Sequence, residues 1–268
     1  MCRFVAYTGM ENILLSELLI KPKNSLVKQS LISQESHTVT NGDGFGVGWY
    51  TPFDKNPALF ASLFPAWNDQ NLSYLANKTR SSLFFAHVRA ASTGGISHFN
   101  CHPFIYKNWL FMHNGLIPHF EKIKRQIHHL LEDDIYNWIK GTTDSELIFA
   151  LFLQLSKQVK IKNSQDIHAV LLEALTLINN LVKKKYQKAV CYFNICITDG
   201  KHLVAFRYCT SSKAKPETMY FCRDKKSISE YVIIASEKLS TKGFEWKIIP
   251  RNHSLLIESD FNLSLKEL

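Results

Sequence analysis

Residues 118–140, PHFEKIKRQIHHLLEDDIYNWIK, interrupt a chain that reads as strands on either side. Apolar side chains recur at Phe120, Ile123, Ile127, Leu130, Leu131, Ile135 and Trp138, close to the 3.6-residue period of a helix with one buried face. A second helix is predicted from Thr143, where Thr143-Asp144-Ser145-Glu146 has the capping-box pattern, through Leu147, Ile148, Leu151, Phe152 and Leu155. A third, over residues 165–184, repeats the period with Ile167, Val170, Leu171, Ala174, Leu175, Ile178 and Leu181. Upstream, residues 2–8, 45–50, 58–64, 83–89 and 109–113 read as strands, with a short helix over 69–80 and mixed loop and helix over 16–31. Downstream, residues 189–198, 202–208, 218–222, 231–236 and 246–257 read as strands joined by turns. Strands, then helices, then strands imply an α+β fold in which helices layer on antiparallel sheets. No linker, repeat or low-complexity segment divides the chain, so residues 1–268 are expected to form one domain.

With 268 residues and 46% hydrophobic content the chain can bury a sizeable core. It has no secretory leader pattern and no apolar run approaching a membrane span of roughly 18 residues, so a cytoplasmic protein is expected. The net charge of +9 is densest at residues 122–129 and 183–188, on or beside predicted helices, where a solvated face is the ordinary explanation. No recognition-helix, finger or RNA-binding aromatic signature accompanies these runs, so nucleic acid is not an expected partner. The cysteines Cys2, Cys101, Cys191, Cys196, Cys209 and Cys222 show no C-x-x-C spacing, and Cys191 and Cys196 are spaced to face opposite sides of a strand. The histidines lack a pattern such as H-E-x-x-H. Neither a metal nor another cofactor is expected.

Cys2 directly follows the initiator methionine, and its small side chain suits removal of Met1. A thiol and a free α-amine would then share one residue. With an unperturbed pKa of about 7.7 to 8.0, the amine is partly neutral at cellular pH and can take the proton from its own thiol. Taken alone, a thiol at a chain terminus is equally an inert group on a frayed end. Four further segments stand out: Asn41-Gly42-Asp43-Gly44-Phe45-Gly46-Val47-Gly48-Trp49-Tyr50, His87-Val88-Arg89-Ala90-Ala91-Ser92-Thr93, His113-Asn114-Gly115 and Gly141-Thr142-Thr143-Asp144-Ser145-Glu146. Each has an ordinary local reading. Asn114-Gly115 after an apolar strand is the strongest short hairpin signal, Arg89 is a charge at a strand end, and Asp144 suits a helix start. The alternating glycines between 42 and 48 match neither the dinucleotide fingerprint nor the phosphate loop.

Read together, in this order and spacing, these segments resemble the class II, N-terminal-nucleophile glutamine amidotransferases. Within that superfamily the chain is most similar to the stand-alone branch that includes a fungal glutathione-degrading amidotransferase-like subunit and the γ-glutamyl hydrolase of ergothioneine biosynthesis. Pro65-Ala66-Trp67-Asn68 with Gln70-Asn71-Leu72, Asn100-Cys101-His102-Pro103-Phe104, and Ala235-Ser236-Glu237 extend the resemblance over nearly the whole chain.

The resemblance implies a four-layer αββα sandwich and a set of roles. Cys2 attacks a γ-carbonyl carbon while its α-amine shuttles the proton. The Asn114 side-chain amide and the Gly115 N–H form the oxyanion hole. Arg89 offers a planar fork to the substrate α-carboxylate, and Asp144 an anion to its α-ammonium. Ser92 and Thr93 stand where larger amidotransferases often carry Thr-His, so their hydroxyls are candidate carboxylate contacts. His102 either orients a group near the site or packs structurally. His87 and His113 are expected to be satisfied groups of the core or groups that back the site residues.

The expected activity is hydrolysis of a γ-glutamyl amide, with glutamine, glutathione or a related γ-glutamyl compound as substrate. The chain has no room for an added synthase domain, so either a separate synthase or peptidase subunit receives the product or the enzyme simply hydrolyses. The alternative from another class is a catalytically silent subunit that binds a partner through its basic helix faces.

Overall fold

The computed structural model describes residues 2–36, 38–91, 93–224, 230–240 and 243–268. Among these residues two antiparallel sheets stack face to face. One runs in the order β11 (Trp246–Ile248), β9 (Tyr220–Asp224), β10 (Tyr231–Ala235), β1 (Arg3–Leu14), β4 (Arg80–Val88), β2 (Phe45–Thr51) and β3 (Asp54–Ser62). The other runs β13 (Leu263–Glu267), β12 (His253–Ile257), β8 (Leu203–Cys209), β7 (Tyr192–Thr198), β6 (Trp109–Leu116) and β5 (Phe104–Tyr106).

Three apolar layers follow from the two-residue period of the strands. Phe4 and Ala6 of β1, Phe85 of β4, Leu110 and Met112 of β6 and Cys196 of β7 pack between the sheets. The alternate residues of the first sheet, Val5, Tyr7, Phe84 and Val47, face outward under α1 (Ser16–Leu19), α2 (Leu26–Leu31) and α3 (Gln70–Ala76). Those of the second, Phe111, Phe193, Ile195 and Phe206, face outward under α4 (Phe120–His128), α5 (Asp133–Trp138), α6 (Asp144–Ser156) and α7 (Ser164–Lys185). The expected αββα sandwich is thus the observed one, and Cys191 and Cys196 belong to opposite faces as their spacing requires.

Three segments differ from the sequence expectation. The single helix expected over 118–140 is two, α4 and α5. The break spans residues 129–132 and closes on Glu132, the cap of α5, whose N–H donates to Gln154 Oε1 at 2.9 Å while Gln154 Nε2 donates back to Glu132 Oε1 at 3.0 Å, so a contact with α6 replaces helix continuation there. The strand expected over 246–257 is also two: β11 pairs with β9 in the first sheet, β12 with β8 in the second. Pro250 has no N–H for a ladder and Asn252 takes a φ of 56°, which turns the chain from one sheet to the other. Finally, Asn114-Gly115 is not a hairpin turn, because β6 continues to Leu116 with Asn114 opposite Asn194 and Gly115 opposite Phe193. The short strands β5 and β13 carry too little pattern to be anticipated.

Phe149 of α6 joins the helix layer to the second sheet. Its fully buried ring stacks on Phe111 at 4.9 Å and meets Trp138 edge-on at 5.4 Å. Phe149→Ala is expected to cost about 3–5 kcal/mol, read as a lower urea midpoint at an unchanged slope.

Candidate functional site

The N-terminal strand β1 lies inside its sheet, between β4 and β10, with Phe4 opposite His87 and Val5 opposite Ala235. Arg3 is fully buried. Its Nη2 donates to Glu217 Oε2 at 2.7 Å, its Nη1 lies 3.7 Å from Glu237 Oε1, and its Nε donates to the Cys2 carbonyl at 2.6 Å. Glu237 also accepts the backbone N–H groups of Gln34 and Glu35 and the side-chain amide of Asn24. The Phe4 N–H donates to Ser236 Oγ and the Ser236 N–H returns to the Phe4 carbonyl, at 3.1 and 3.0 Å. These bonds fix Cys2 from its own carbonyl outward. Met1 lies outside the described residues.

The half-buried Cys2 thiol lies 3.4 Å from both the Ala90 N–H and the Ala90 carbonyl. Burial pushes its pKa above the ordinary thiol value, partly offset by the Ala90 amide and the charges of Arg89 and Arg3. A thiol so placed is protonated near neutrality and needs a base to become a nucleophile. By strand alternation Cys2 shares the inner face with Phe4 and Ala6, and β1 lies against β6 across the gap between the sheets.

Arg89 leaves the end of β4 almost wholly buried. Its N–H donates to the Gly44 carbonyl and its carbonyl accepts from Asp43, while the Asp43 carboxylate accepts the Ala91 N–H at 2.8 Å. The guanidinium holds the following loop, donating to the carbonyls of Thr93 at 2.9 Å, Gly95 at 3.2 Å and Gly94 at 3.4 Å. These bonds draw on three of its five N–H donors. Thr93 in turn donates its hydroxyl to Asp144 Oδ1 at 3.0 Å. Ser92, expected beside it, lies outside the described residues. Asn100 braces the same loop, with Nδ2 donating to the Gly95 carbonyl and Oδ1 accepting the Thr142 N–H.

Asp144 opens α6. Thr143 is its cap, accepting the Glu146 N–H at 3.2 Å, but Glu146 reaches back to the N–H groups of Lys140 and Gly141 rather than closing a capping box on Thr143. Asp144 Oδ2 accepts the Ile117 N–H at 2.9 Å, and Oδ1 accepts from Ser145 N. A continuous set of bonds therefore runs from Arg89 through Thr93 and Asp144 to Ile117, closing one end of the sandwich between β4 and β6.

At that end of β6 lie Asn114 and Gly115. Asn114 is 2% exposed, and neither side-chain atom has a hydrogen-bond partner among the described residues. Gly115 cannot carry a side chain, since a Cβ would lie 2.0 Å from the Tyr192 carbonyl oxygen and 2.2 Å from His113 Nε2. His113 faces the helices. Its Nε2 donates to that same Tyr192 carbonyl at 3.1 Å, so in the neutral ring Nδ1 accepts from the Ser145 hydroxyl at 2.9 Å. Burial lowers its pKa, with the Asp144 charge opposing.

His113 is a satisfied core group, as expected. His87 is not, because both its ring nitrogens are buried without a hydrogen-bond partner. His102 is equally buried and unpartnered, its ring centroid 4.3 Å from that of His87 and 4.5 Å from that of Phe104. The structure thus brings Cys2, Arg89, Thr93, Asp144, Asn114 and Gly115 to one end of the two sheets, and sets His102 against His87 and Phe104. Sequence reasoning did not single out Glu217, Asn194 or Arg207. Asn194 carried a legible signal, being the lone amide at an inward position of the apolar strand Tyr192–Thr198. Glu217 and Arg207, which donates to the carbonyls of Glu217 and Ile249 at 2.9 and 2.8 Å, carried none. Among the described residues no group of histidine, cysteine or carboxylate side chains could hold a metal ion, and no helix is long and apolar enough to cross a membrane.

Comparison with known proteins adds a family match, two relatives and two solved structures. The family model described as glutamine amidotransferases class-II matches residues 22–225, a range that includes Arg89, Asn114, Gly115 and Asp144 and begins after Cys2. The Saccharomyces cerevisiae protein named probable glutamine amidotransferase DUG3 is 37% identical over 96% of this chain and 82% of its own length. The γ-glutamyl-hercynylcysteine sulfoxide hydrolase of Mycolicibacterium smegmatis is 34% identical over 44% of this chain and 52% of its own. Among solved structures, a glutamine aminotransferase class-II domain protein from Silicibacter pomeroyi superimposes with a TM-score of 0.73 at 26% identity, covering 100% of this chain and 99% of the other. The glutamine phosphoribosylpyrophosphate amidotransferase of B. subtilis, at 13% identity and a TM-score of 0.66 over 99% of this chain and 49% of its own, shares the fold.

The unpartnered histidines bear on stability. Burial, then the Arg89 charge, holds His87 down at about 3, and burial followed by the neighbouring His87 holds His102 well below the ordinary value. Between the folded value and the unfolded value of about 6.5 such a group binds more protons unfolded than folded, so stability is full above about pH 6.5 and falls as the pH drops. The urea midpoint is expected to decline from pH 6.5 to 4.5, and His87→Phe to flatten that decline by up to about 1.4 kcal/mol per pH unit. An unchanged slope in the variant would remove His87 from this account.

Proposed function

The chain belongs to the class-II glutamine amidotransferase family, and from that premise we propose that it hydrolyses a γ-glutamyl amide through a thioester on Cys2, releasing glutamate and either ammonia or an amine. The observation that carries this reading is the Asn114 amide, buried without a partner on the strand that faces β1. Leaving such a group unpaired costs about 1–3 kcal/mol. A developing oxyanion would supply the partner, in a site already shaped for it.

In the proposed sequence the Cys2 α-amine takes the thiol proton, and Sγ forms a bond to the γ-carbonyl carbon. The carbonyl oxygen becomes an anion, held by the Asn114 Nδ2 and the Gly115 N–H. Collapse expels the leaving nitrogen, which receives the proton from the α-ammonium. Water, deprotonated by the same amine, then attacks the thioester, releasing glutamate and returning the thiol. Arg89 and Asp144 read the α-carboxylate and α-ammonium of the glutamyl group, and Thr93, bonded to both, sets the distance between them. A carboxylate contact from Ser92 belongs to the same reading, while His102 serves by packing on His87. Residues 1–268 would act as one unit that needs no cofactor.

The leaving group extends the reading to substrate class. Arg89, Thr93 and Asp144 address only the amino-acid end, so the same machinery accepts glutamine, glutathione or a related γ-glutamyl compound. A relative named as a γ-glutamyl hydrolase supports a substrate whose leaving group is larger than ammonia. A separate synthase or peptidase subunit would take up the product.

Protein confirmed by mass to begin at Cys2 is expected to release glutamate when offered glutamine and glutathione in parallel, and Cys2→Ala to release none while keeping its fold. Asn114→Ala should lower kcat about 10²–10³-fold. Arg89→Ala should act mainly on KM, raising it about 10–100-fold. Normal turnover by Cys2→Ala would overturn the mechanism, and no release from any γ-glutamyl compound by the parent protein would favour a catalytically silent, partner-binding subunit.

A further inference from the structure

Asn194 sits on β7 directly opposite Asn114, the two amides being cross-strand neighbours. It is 1% exposed. Its Nδ2 donates to the carbonyls of Glu217 at 2.9 Å and Thr218 at 3.4 Å, and this fixes the orientation of the amide, since only nitrogen can donate. Its Oδ1 is left buried with no partner among the described residues. An amide so held keeps one acceptor in reserve.

The surroundings of that oxygen identify what it can accept. Glu217, whose carbonyl anchors Asn194, uses its carboxylate to hold Arg3, and Arg3 holds the Cys2 carbonyl at 2.6 Å. Thr218, the second anchor, donates its hydroxyl to the Ser236 carbonyl, and Ser236 pairs with Phe4. Both anchors of Asn194 thus end on the first residues of β1, and its cross-strand neighbour is the proposed oxyanion donor. In protein that begins at Cys2, the α-amine is the donor-rich group on the same residue as the carbonyl that Arg3 holds. Resting on the function proposed above, we infer that Asn194 is a positioning residue: its side-chain oxygen accepts a hydrogen bond from the Cys2 α-amine and aims that amine at Sγ and the leaving nitrogen.

The consequence is electrostatic. A carbonyl oxygen binds an ammonium more strongly than an amine, so the bond favours the charged form and raises the amine pKa. The charged and titratable groups around Cys2 and Asn194 are Arg3 with Glu217 and Glu237, Arg207 opposite Asn194 on β8, Arg89 and His87 from β4 and its end, Asp43, Cys101, His102, and Asp144 with His113.

The test uses protein carrying 15N-cysteine and confirmed by mass to begin at Cys2, with the α-amine resonance titrated in the parent, Asn194→Leu and Asn194→Asp. Removing the acceptor in Asn194→Leu should lower the amine pKa by about half to one unit and move the acid limb of kcat/KM down by the same amount. The carboxylate of Asn194→Asp should move both upward. A strut between strands would give the same loss in both variants with no movement of the amine, and that result overturns the inference. If neither variant folds, protection of the parent's ammonium protons from exchange supports the bond, and exchange at the free rate contradicts it. The titration needs no turnover, so a parent that releases no glutamate would count against the proposed function while the amine pKa still decides the role of Asn194.

Discussion

A fully buried guanidinium, Arg3, is the point on which the position of Cys2 depends. Two carboxylates, Glu217 and Glu237, approach it from segments more than 200 residues away, and the remaining nitrogen grips the Cys2 carbonyl. Taking three charges out of water is unfavourable unless each is paired and hydrogen-bonded, and removing one partner of such a set typically costs about 3–5 kcal/mol. Glu237 meets this demand with backbone N–H groups from Gln34 and Glu35, and Arg3 through Nη2 on Glu217 and Nε on its own neighbour's carbonyl, while its Nη1 has the 3.7 Å approach to Glu237 but no hydrogen bond among the described residues. A chain end is ordinarily the most mobile part of a domain. Here it is held on both edges by β4 and β10 and from its side chain by an ion triad, which is what a residue must have if its amine and thiol are to act on one carbon.

The site is built where the inner strands of both sheets end. Cys2 and Arg89 come from β1 and β4 of one sheet, Asn114 and Gly115 from β6 of the other, and the bonds through Thr93 and Asp144 tie the two together. Close approach matters as much as charge. Gly46 on β2 admits the His102 carbonyl, which would lie 2.4 Å from a Cβ, and Gly115 admits the Tyr192 carbonyl at still shorter range. The glycine-rich run that matched no nucleotide-binding pattern therefore has a packing explanation.

The layered fold was legible because both periods were strong. The alternation of Phe4, Ala6 against Val5, Tyr7 and the helical repeat of Ile167, Val170, Leu171 and Ala174 each report which side meets a core. Local rules failed where a distant partner decided the outcome. Asn114-Gly115 has the strongest of hairpin signals, yet it stays extended because β7, some 80 residues on, supplies its ladder. Nothing local marked Glu132 as the cap of a new helix until Gln154 reached its backbone. At the site, the motif residues were legible only as a set, and their ordinary local readings were each sound alone. The Glu217 end of the ion triad, and the reserve acceptor on Asn194, depend on register between strands remote in sequence, which no local pattern encodes.

The account turns on Cys2 acting with its own α-amine, held by Arg3. Its most direct measurement compares two preparations differing by one residue, one beginning at Cys2 and one retaining Met1, each verified by mass and matched in urea midpoint, for glutamate release from glutathione and from glutamine. Turnover by the first and none by the second is the expected result, because an acylated nitrogen can neither take nor return the proton. Equal turnover by both would contradict the account at its centre.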